Sequence, residues 1–320
     1  MFVVAILALA LLSSAALAQA PRAKIRVAFP SVADLGDVPV LLAAERLRVQ
    51  GYDLEPIFFA QETLVLQAVT RGDVEMGAGA SRATFAAIQA GADLRAIGTQ
   101  HRNLWTMYSK KEITRCEDLT GKRLALHSQA GISTAIVRGW LKEKCPNANP
   151  TILYIPGSEN RAAALIANQI DATPLELSDA IQVDVLRPGQ YIRMADFSKD
   201  LPWLLDSLFY AAPKTISARR DLLKALFREL LAIHRLAARE PQTIAAVAPK
   251  YVKVQDLSLM SQIARAYAEA QLWPTDGGFT PTVVQRTYQF FVDIESLKPG
   301  LKAESVGDYT ILTEVMRDVR

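Results

Sequence analysis

Charge of either sign is missing from the first eighteen residues, which read almost entirely as Val, Ile, Leu, Ala and Phe. The run closes on Ala16-Leu17-Ala18, a small-x-small pattern of the kind signal peptidase cuts after, so residues 1–18 read as a secretory signal. Cleavage after Ala18 is favoured over cleavage after Ala20, which would leave Pro21 at the first mature position. No Lys or Arg precedes the apolar run, and an uncleaved anchor is the competing reading, because eighteen apolar residues just span a bilayer. No Cys sits at the cleavage site, which argues against a lipoprotein, and no later apolar stretch is long and uninterrupted enough to cross a membrane.

Histidine is scarce too. His101, His127 and His234 lie far apart, without metal-ligand spacing. Neither sign of charge dominates, with 36 Lys and Arg against 33 Asp and Glu in dispersed positions, so nothing points to nucleic acid or an acidic lipid surface. The chain has no G-x-S-x-G elbow and no H-E-x-x-H pair, and no spacing sets a nucleophile beside a histidine. No cofactor motif is present, and neither catalysis nor a cofactor is expected. Low-complexity tracts and solenoid periods are absent as well.

What is there is alternation. Lys24–Phe29 reads as a strand, Val38–Val49 as a helix, Tyr52–Phe59 as a strand, Glu62–Arg71 as a helix and Val74–Ala78 as a short buried strand. A helix from Ser81 to Ala90 and a strand over Leu94–Gly98 follow. A second set starts after Gly121, with strands at Arg123–His127, Thr151–Ile155, Ile170–Thr173 and Tyr191–Met194, separated by helices. Beyond Ser217 the pattern is helical. Alternation of this kind predicts an α/β protein with mostly parallel sheets and helices on both faces, and about 300 mature residues suffice for two domains.

Several stretches in order, IRVAF, GYDLEPIFF, AVTRGDVEMGAGASRAT, CEDLTGKRLALHSQAGIS and LIANQIDATPLELSDA, resemble the periplasmic solute-binding proteins of ABC importers. The likeness is to the branch with aliphatic-sulfonate, nitrate, taurine and thiamine-precursor binders. It implies a two-lobe periplasmic-binding-protein type II fold, each lobe a mostly parallel sheet flanked by helices, with a hinge of crossing strands. Lobe one would be residues 24–110 plus 203–320, and lobe two residues 111–202, with LWTMYSK and SLFYAAP as the crossings. The resemblance further implies a periplasmic monomer that binds a small molecule and meets an inner-membrane ABC permease. Two same-fold enzymes, a fungal thiamine-pyrimidine synthase and a menaquinone-pathway lyase, are alternatives, as is a receptor for a periplasmic sensor. The synthase's cysteine-rich iron cluster has no counterpart in a chain with two distant cysteines.

Ligands of open parallel sheets bind outside the carboxyl ends of the strands, which singles out four turns. The first carries Ser31 and Asp34; the second Gly79, Ala80, Ser81 and Arg82; the third Ser128, Gln129, Gly131, Ser133 and Thr134; the fourth Glu176. Small residues let backbone approach a ligand, and the free N–H groups of a helix start favour an anionic oxygen. Each hydroxyl would equally serve as an ordinary helix cap. Arg82 is suited to clamp a carboxylate or sulfonate, and Glu176 to meet an amine or hydroxyl. Trp105 and Tyr210 are candidates for the cleft walls, with core packing as the competing role. The ligand expected from these residues is anionic or zwitterionic. Cys116 precedes the first strand of lobe two, and the helix after that strand runs back to Cys145 at the same sheet edge, so a disulfide between them, away from the cleft, is expected.

Overall fold

The computed structural model describes residues 23–129, 131–253 and 256–319. The signal-peptide reading lies outside the described residues. In chain order the first lobe opens with β1 (Ala23–Phe29), α1 (Val38–Val49), β2 (Tyr52–Phe58), α2 (Glu62–Arg71), β3 (Met76–Ala80), α3 (Ser81–Gln89) and β4 (Arg95–Arg102). The chain then crosses and builds β5 (Trp105–Lys110), β6 (Arg123–Leu126), α4 (Ile132–Lys144), β7 (Thr151–Tyr154), α5 (Ser158–Ile166), β8 (Ala172–Glu176), α6 (Leu177–Leu186), β9 (Tyr191–Asp196) and the short α7 (Phe197–Asp200). It returns as β10 (Leu205–Ala211) and ends in helices: α8 (Pro213–Ala218), α9 (Arg220–Arg239), α10 (Gln242–Val247), α11 (Leu257–Glu269), α12 (Pro281–Asp293), α13 (Ala303–Val306) and α14 (Thr310–Asp318).

Two five-stranded sheets result, ordered β2-β1-β3-β10-β4 and β7-β6-β8-β5-β9. In each, one strand runs against the rest. β10 is antiparallel to β3 and β4, and β5 is antiparallel to β8 and β9. Those two strands border the connections between the sheets, which among the described residues run through 103–104 and 201–204. Asn103 joins the two connections. Its backbone N–H donates to Leu204 O, its Nδ2 to Phe197 O, and its Oδ1 accepts from Trp105 N–H.

Sequence periodicity located most helices because their buried faces repeat at helical spacing. In α9, Leu222, Leu223, Leu226, Phe227, Leu230, Leu231, Ile233 and His234 are all buried. Phe227 lies over Gly98 of β4, where an added Cβ would come within 2.3 Å of the ring. His234 reaches Pro274 O, and burial lowers its pKa to about 4, so it packs as a neutral ring. β4 runs on to Arg102, four residues past the expected Gly98, and two strands are displaced. β3 spans Met76–Ala80 instead of Val74–Ala78, and β8 spans Ala172–Glu176 instead of Ile170–Thr173. Glycines and a proline obscured both, for reasons that lie in the site below. The short helix at Thr310–Asp318 escaped expectation altogether.

At the end of the second sheet away from the cleft, Asp171 gathers Lys110 Nζ at 2.6 Å and Arg123 Nη2 at 2.9 Å, tying β5 and β6 to β8. These partners hold its carboxyl well below the ordinary range. At the start of the same lobe Cys116 and Cys145 form a disulfide, with Cα atoms 6.0 Å apart and a sequence separation of 29. It clips the turn before β6 to the end of α4. Denatured, unreduced protein should contain no titratable thiol. The Cys116→Ser/Cys145→Ser variant should lose about 3.6 kcal/mol in urea unfolding, the loop-entropy value for a ring of this size; two free thiols, or an unchanged midpoint, would contradict the bridge.

Candidate functional site

The turn from β3 to α3 explains the glycines of Met76-Gly77-Ala78-Gly79-Ala80. A side chain added there would displace its neighbours. A Cβ on Gly77 would lie 2.4 Å from the Tyr210 ring, and one on Gly79 would lie 2.3 Å from the Glu62 carboxylate. Glu62 Oε2 accepts the Ala80 N–H at 3.0 Å, and Glu62 Oε1 accepts the Tyr210 hydroxyl at 3.2 Å. The helix start expected to bind a ligand's anionic oxygen therefore already holds a carboxylate of the protein itself. Burial raises the Glu62 pKa to about 7, with the Asp206 charge adding to the rise, against the two hydrogen bonds. Ser81 is fully buried and donates to Leu205 O, and Arg82 donates through Nε and Nη2 to Ser296. Tyr210 is fully buried. These residues stitch α3, β3 and β10 together.

The third turn leads into α4. Ser128 is half-buried and Gln129 exposed, while Ser133 and Thr134 are buried. The Thr134 hydroxyl has no hydrogen-bond partner among the described residues. Beside the turn stands His127, whose Nδ1 accepts the Gly157 N–H at 3.2 Å and whose Cδ2 would lie 3.1 Å from a Cβ on Gly131. Burial lowers the His127 pKa, helped by the Arg161 charge.

The remaining site residues converge between the lobes. Glu176 closes β8 opposite Trp105 of β5, and its N–H donates to Ser158 Oγ. From the first lobe come Asp34, whose Oδ1 accepts the Gly36 N–H at 2.6 Å, and Asp206 of β10. Asp206 Oδ1 accepts Trp105 Nε1–H at 2.8 Å, and its Oδ2 lies 3.6 Å from His101 Nδ1. Asp37 sits behind Asp34, accepting its N–H and a Gln100 amide. Ser31, at the rim, is exposed. Burial pushes up the carboxyls of Asp34, Asp37, Glu176 and Asp206. The charges of Asp34, Asp179 and Asp206 raise Glu176 further, and Asp179 is pushed up to about 6. A carboxyl of one lobe thus feels those of the other.

Sequence reading missed Glu62, Asp179, Asp206, Arg161 and Tyr267. Arg161 is wholly buried on α5. It donates to Pro174 O, Ile155 O and Gly157 O, its guanidinium lies 5.7 Å from the Trp105 ring, and its Nη2 has no partner among the described residues. Pro174 is tolerated in β8 with its carbonyl turned to this cation. Asp206 did leave a signal, as the one charge in the apolar run from Leu204 to Ala212. Tyr267 left none, since it falls on the buried stripe of α11. A cavity of about 700 Å³ beside α12 and α13, lined by Trp203, Gln285, Arg286 and Phe290 among others, shares no residue with this cluster.

The family model described as NMT1/THI5 like matches residues 41–244, more than half of the chain. The chain belongs to this family. No curated protein matches the sequence. Among solved structures, similarity extends to the ligand binding component of an ABC-type import system from Staphylococcus aureus with zinc bound, at 12% identity and TM-score 0.74, covering 92% of this chain and 100% of that one. The periplasmic nitrate-binding protein of Synechocystis matches at 12% identity and TM-score 0.73, covering 93% and 89%. The periplasmic aliphatic sulphonate binding protein of Escherichia coli matches at 17% identity and TM-score 0.67, covering 88% and 96%. At these identities the likeness establishes the two-lobe periplasmic-binding-protein fold.

Within this NMT1/THI5-like chain the raised carboxyls make a prediction about pH. A carboxyl whose folded pKa is raised binds its proton more tightly when folded, so its contribution is fully present below the unfolded value of about 4 and is lost as pH rises through the folded one. Glu62, at about 7, and Asp179, at about 6, should add stability to the ligand-free protein as pH falls from about 7.5 to about 5, against the lowered His234 and His127, which lose it below about 6.5. Lowered carboxyls such as Asp171 and Glu75 reverse the trend in more acid solution. Glu62→Gln should flatten the slope of melting temperature against pH. A melting temperature that climbs from pH 5 to pH 7.5, alike in wild type and variant, would contradict the assignment.

Proposed function

We propose that this protein is an extracytoplasmic solute-binding protein that captures a small organic molecule between its lobes and delivers it to an ABC permease in the inner membrane. The observation that carries this reading is convergence. Asp34, Asp206, His101 and Tyr267 from the first lobe meet Trp105, Arg161, Glu176 and Asp179 from the second, at a junction bridged by only two short connections. Chain crossings of this kind permit hinge closure around a ligand. We place the lobes at residues 23–102 with 205–319, and 105–200, and take the ligand-binding form to be a monomer. Of the four turns, the first and fourth supply ligand contacts through Asp34 and Glu176, and the third through Ser128, Ser133 and Thr134.

The solved relatives with this fold named above are binding components, and the chemistry here agrees with binding rather than turnover. Both cysteines are joined to each other, so neither offers a thiolate for an iron cluster of the kind used by the fungal synthase. The bridge also suits an oxidising compartment, in keeping with export and residence in the periplasm.

Closure must follow from differential affinity, because a ligand that binds open and closed forms equally shifts nothing. Small-angle scattering of the protein stripped of bound solute, then reloaded with the molecule it carries on native purification, should show a smaller radius of gyration in the loaded state. The loaded protein should gain about 2.7 kcal/mol at a hundredfold excess over the dissociation constant. Identical scattering curves with no gain in stability would place the site elsewhere.

A further inference from the structure

The binding reading leaves the chemistry of the solute open, and the cleft carries that step further. We infer that the solute is an organic cation bearing N–H donors, a protonated amine or amidine, gripped by carboxylates of both lobes. This rests on the solute-binding reading above and names its ligand class.

The first support is where negative charge is concentrated. Lysine and arginine exceed acidic residues over the whole sequence, giving a formal net charge of +3. The cleft inverts that balance. Asp34 and Asp206 face it from one lobe, Glu176 and Asp179 from the other, and the exposed Glu159 adds its field at the rim. Against them stand one arginine, Arg161, and the imidazoles of His101 and His127. A sulfonate or carboxylate entering here would meet like charge from both sides.

The second support is that one of the fold's anion-favouring helix starts is already filled. The helix start of α3, with its free N–H and flanking glycines, is the element expected to take a ligand's anionic oxygen. Glu62 occupies it, holding the Ala80 N–H and the Tyr210 hydroxyl. Arg82, next in the same turn and the side chain best suited to clamp an anion, is directed to Ser296 instead.

The third support is independent of the acids. Two polar groups that a ligand would satisfy are buried there. The Tyr267 hydroxyl, on a side chain with no exposure, has no hydrogen-bond partner among the described residues; Ser178 stands beside it without hydrogen-bond geometry. It lies within the fields of Asp34, Glu176 and Asp179, and its ring packs edge-on to Trp273, whose Nε1–H donates to Gly36 O behind Asp34. Arg161 is equally buried and keeps Nη2 unpartnered among the described residues. Buried polar atoms are almost always paired in native proteins. A solute with N–H donors for the carboxylates and an oxygen acceptor for Arg161 Nη2 and Tyr267 Oη would satisfy the whole set.

Glu176→Gln and Asp206→Asn keep shape and volume while removing charge, and they relieve repulsion in the empty cleft. Each should therefore melt at or above the wild-type temperature while losing solute affinity about tenfold or more, a combination that a merely structural role would not produce. Arg82→Ala should leave affinity unmoved. The test is native purification followed by release of the bound molecule and mass spectrometry in both polarities. It is paired with thermal shift against glycinamide and 4-hydroxybenzamidine, cations that also carry an oxygen, on one side, and malonate, benzoate and methanesulfonate on the other. The expected result is a released cation with N–H groups, depleted in both neutralised variants, and stabilisation by amines alone. A released anion, or stabilisation by the acids with loss of affinity in Arg82→Ala, would overturn this inference and leave the transport reading intact. A protein that carries no small molecule and responds to neither probe set would overturn both.

Discussion

Like charges are held together in a place where water cannot separate them. Asp34 and Asp206 on one lobe face Glu176 and Asp179 on the other, and each is pushed up by burial before it is pushed up by its neighbours. Like charges brought together in a poorly solvated cleft repel. That repulsion opposes closure of an empty, ionised cleft and disappears when a positive solute or a proton arrives. The two short crossings joined by Asn103 lie beside these acids. A hinge is useful because the surfaces it brings together are not complementary until something sits between them.

The sheet topology puts the acids where they are. Each lobe feeds parallel strands toward a common edge, and the residues that follow, Asp34 after β1 and Glu176 at the end of β8, project there. Asp206 arrives from the opposite direction at the start of β10, the antiparallel strand that returns from the second lobe. The short connections leave Asp206 beside Trp105, the first residue of the outgoing strand, and the indole N–H binds the carboxylate. Hinge and site are thus one structure. Wide separation of Asp206 and Trp105 in sequence is the price of having both at the crossing.

Helices were legible in the sequence because amphipathic spacing is a local property: Val38–Val49 and Glu62–Arg71 were bounded to the residue. The two-sheet alternation was legible for the same reason. The two-residue displacement of β3 was not, since Gly77 and Gly79 carry no strand signal and are explained only by Tyr210 and Glu62 packing into the space they leave. The site divided along the same line. Asp34 and Glu176 could be placed from their turns, as could the fold's anion-favouring helix start. That Glu62 fills that helix start, and that Arg82 turns to Ser296, depends on contacts between residues far apart in the chain. The charge expected for the ligand changes with them. Sequence reading favoured an anion from the helix-start turns and a zwitterion from Glu176, whereas the occupied α3 turn speaks for a cation.

Proton traffic on binding measures the central claim most directly. Calorimetric titration of the stripped protein with the molecule it carries natively, near pH 6.5 and in buffers of differing ionisation enthalpy, reports how many protons move. If a cation displaces protons from the raised carboxyls, protons must be released, and Glu176→Gln must release fewer. Net proton uptake on binding, unaffected by that substitution, would mean that the acidic cleft meets a negative group and that the account of this site is wrong.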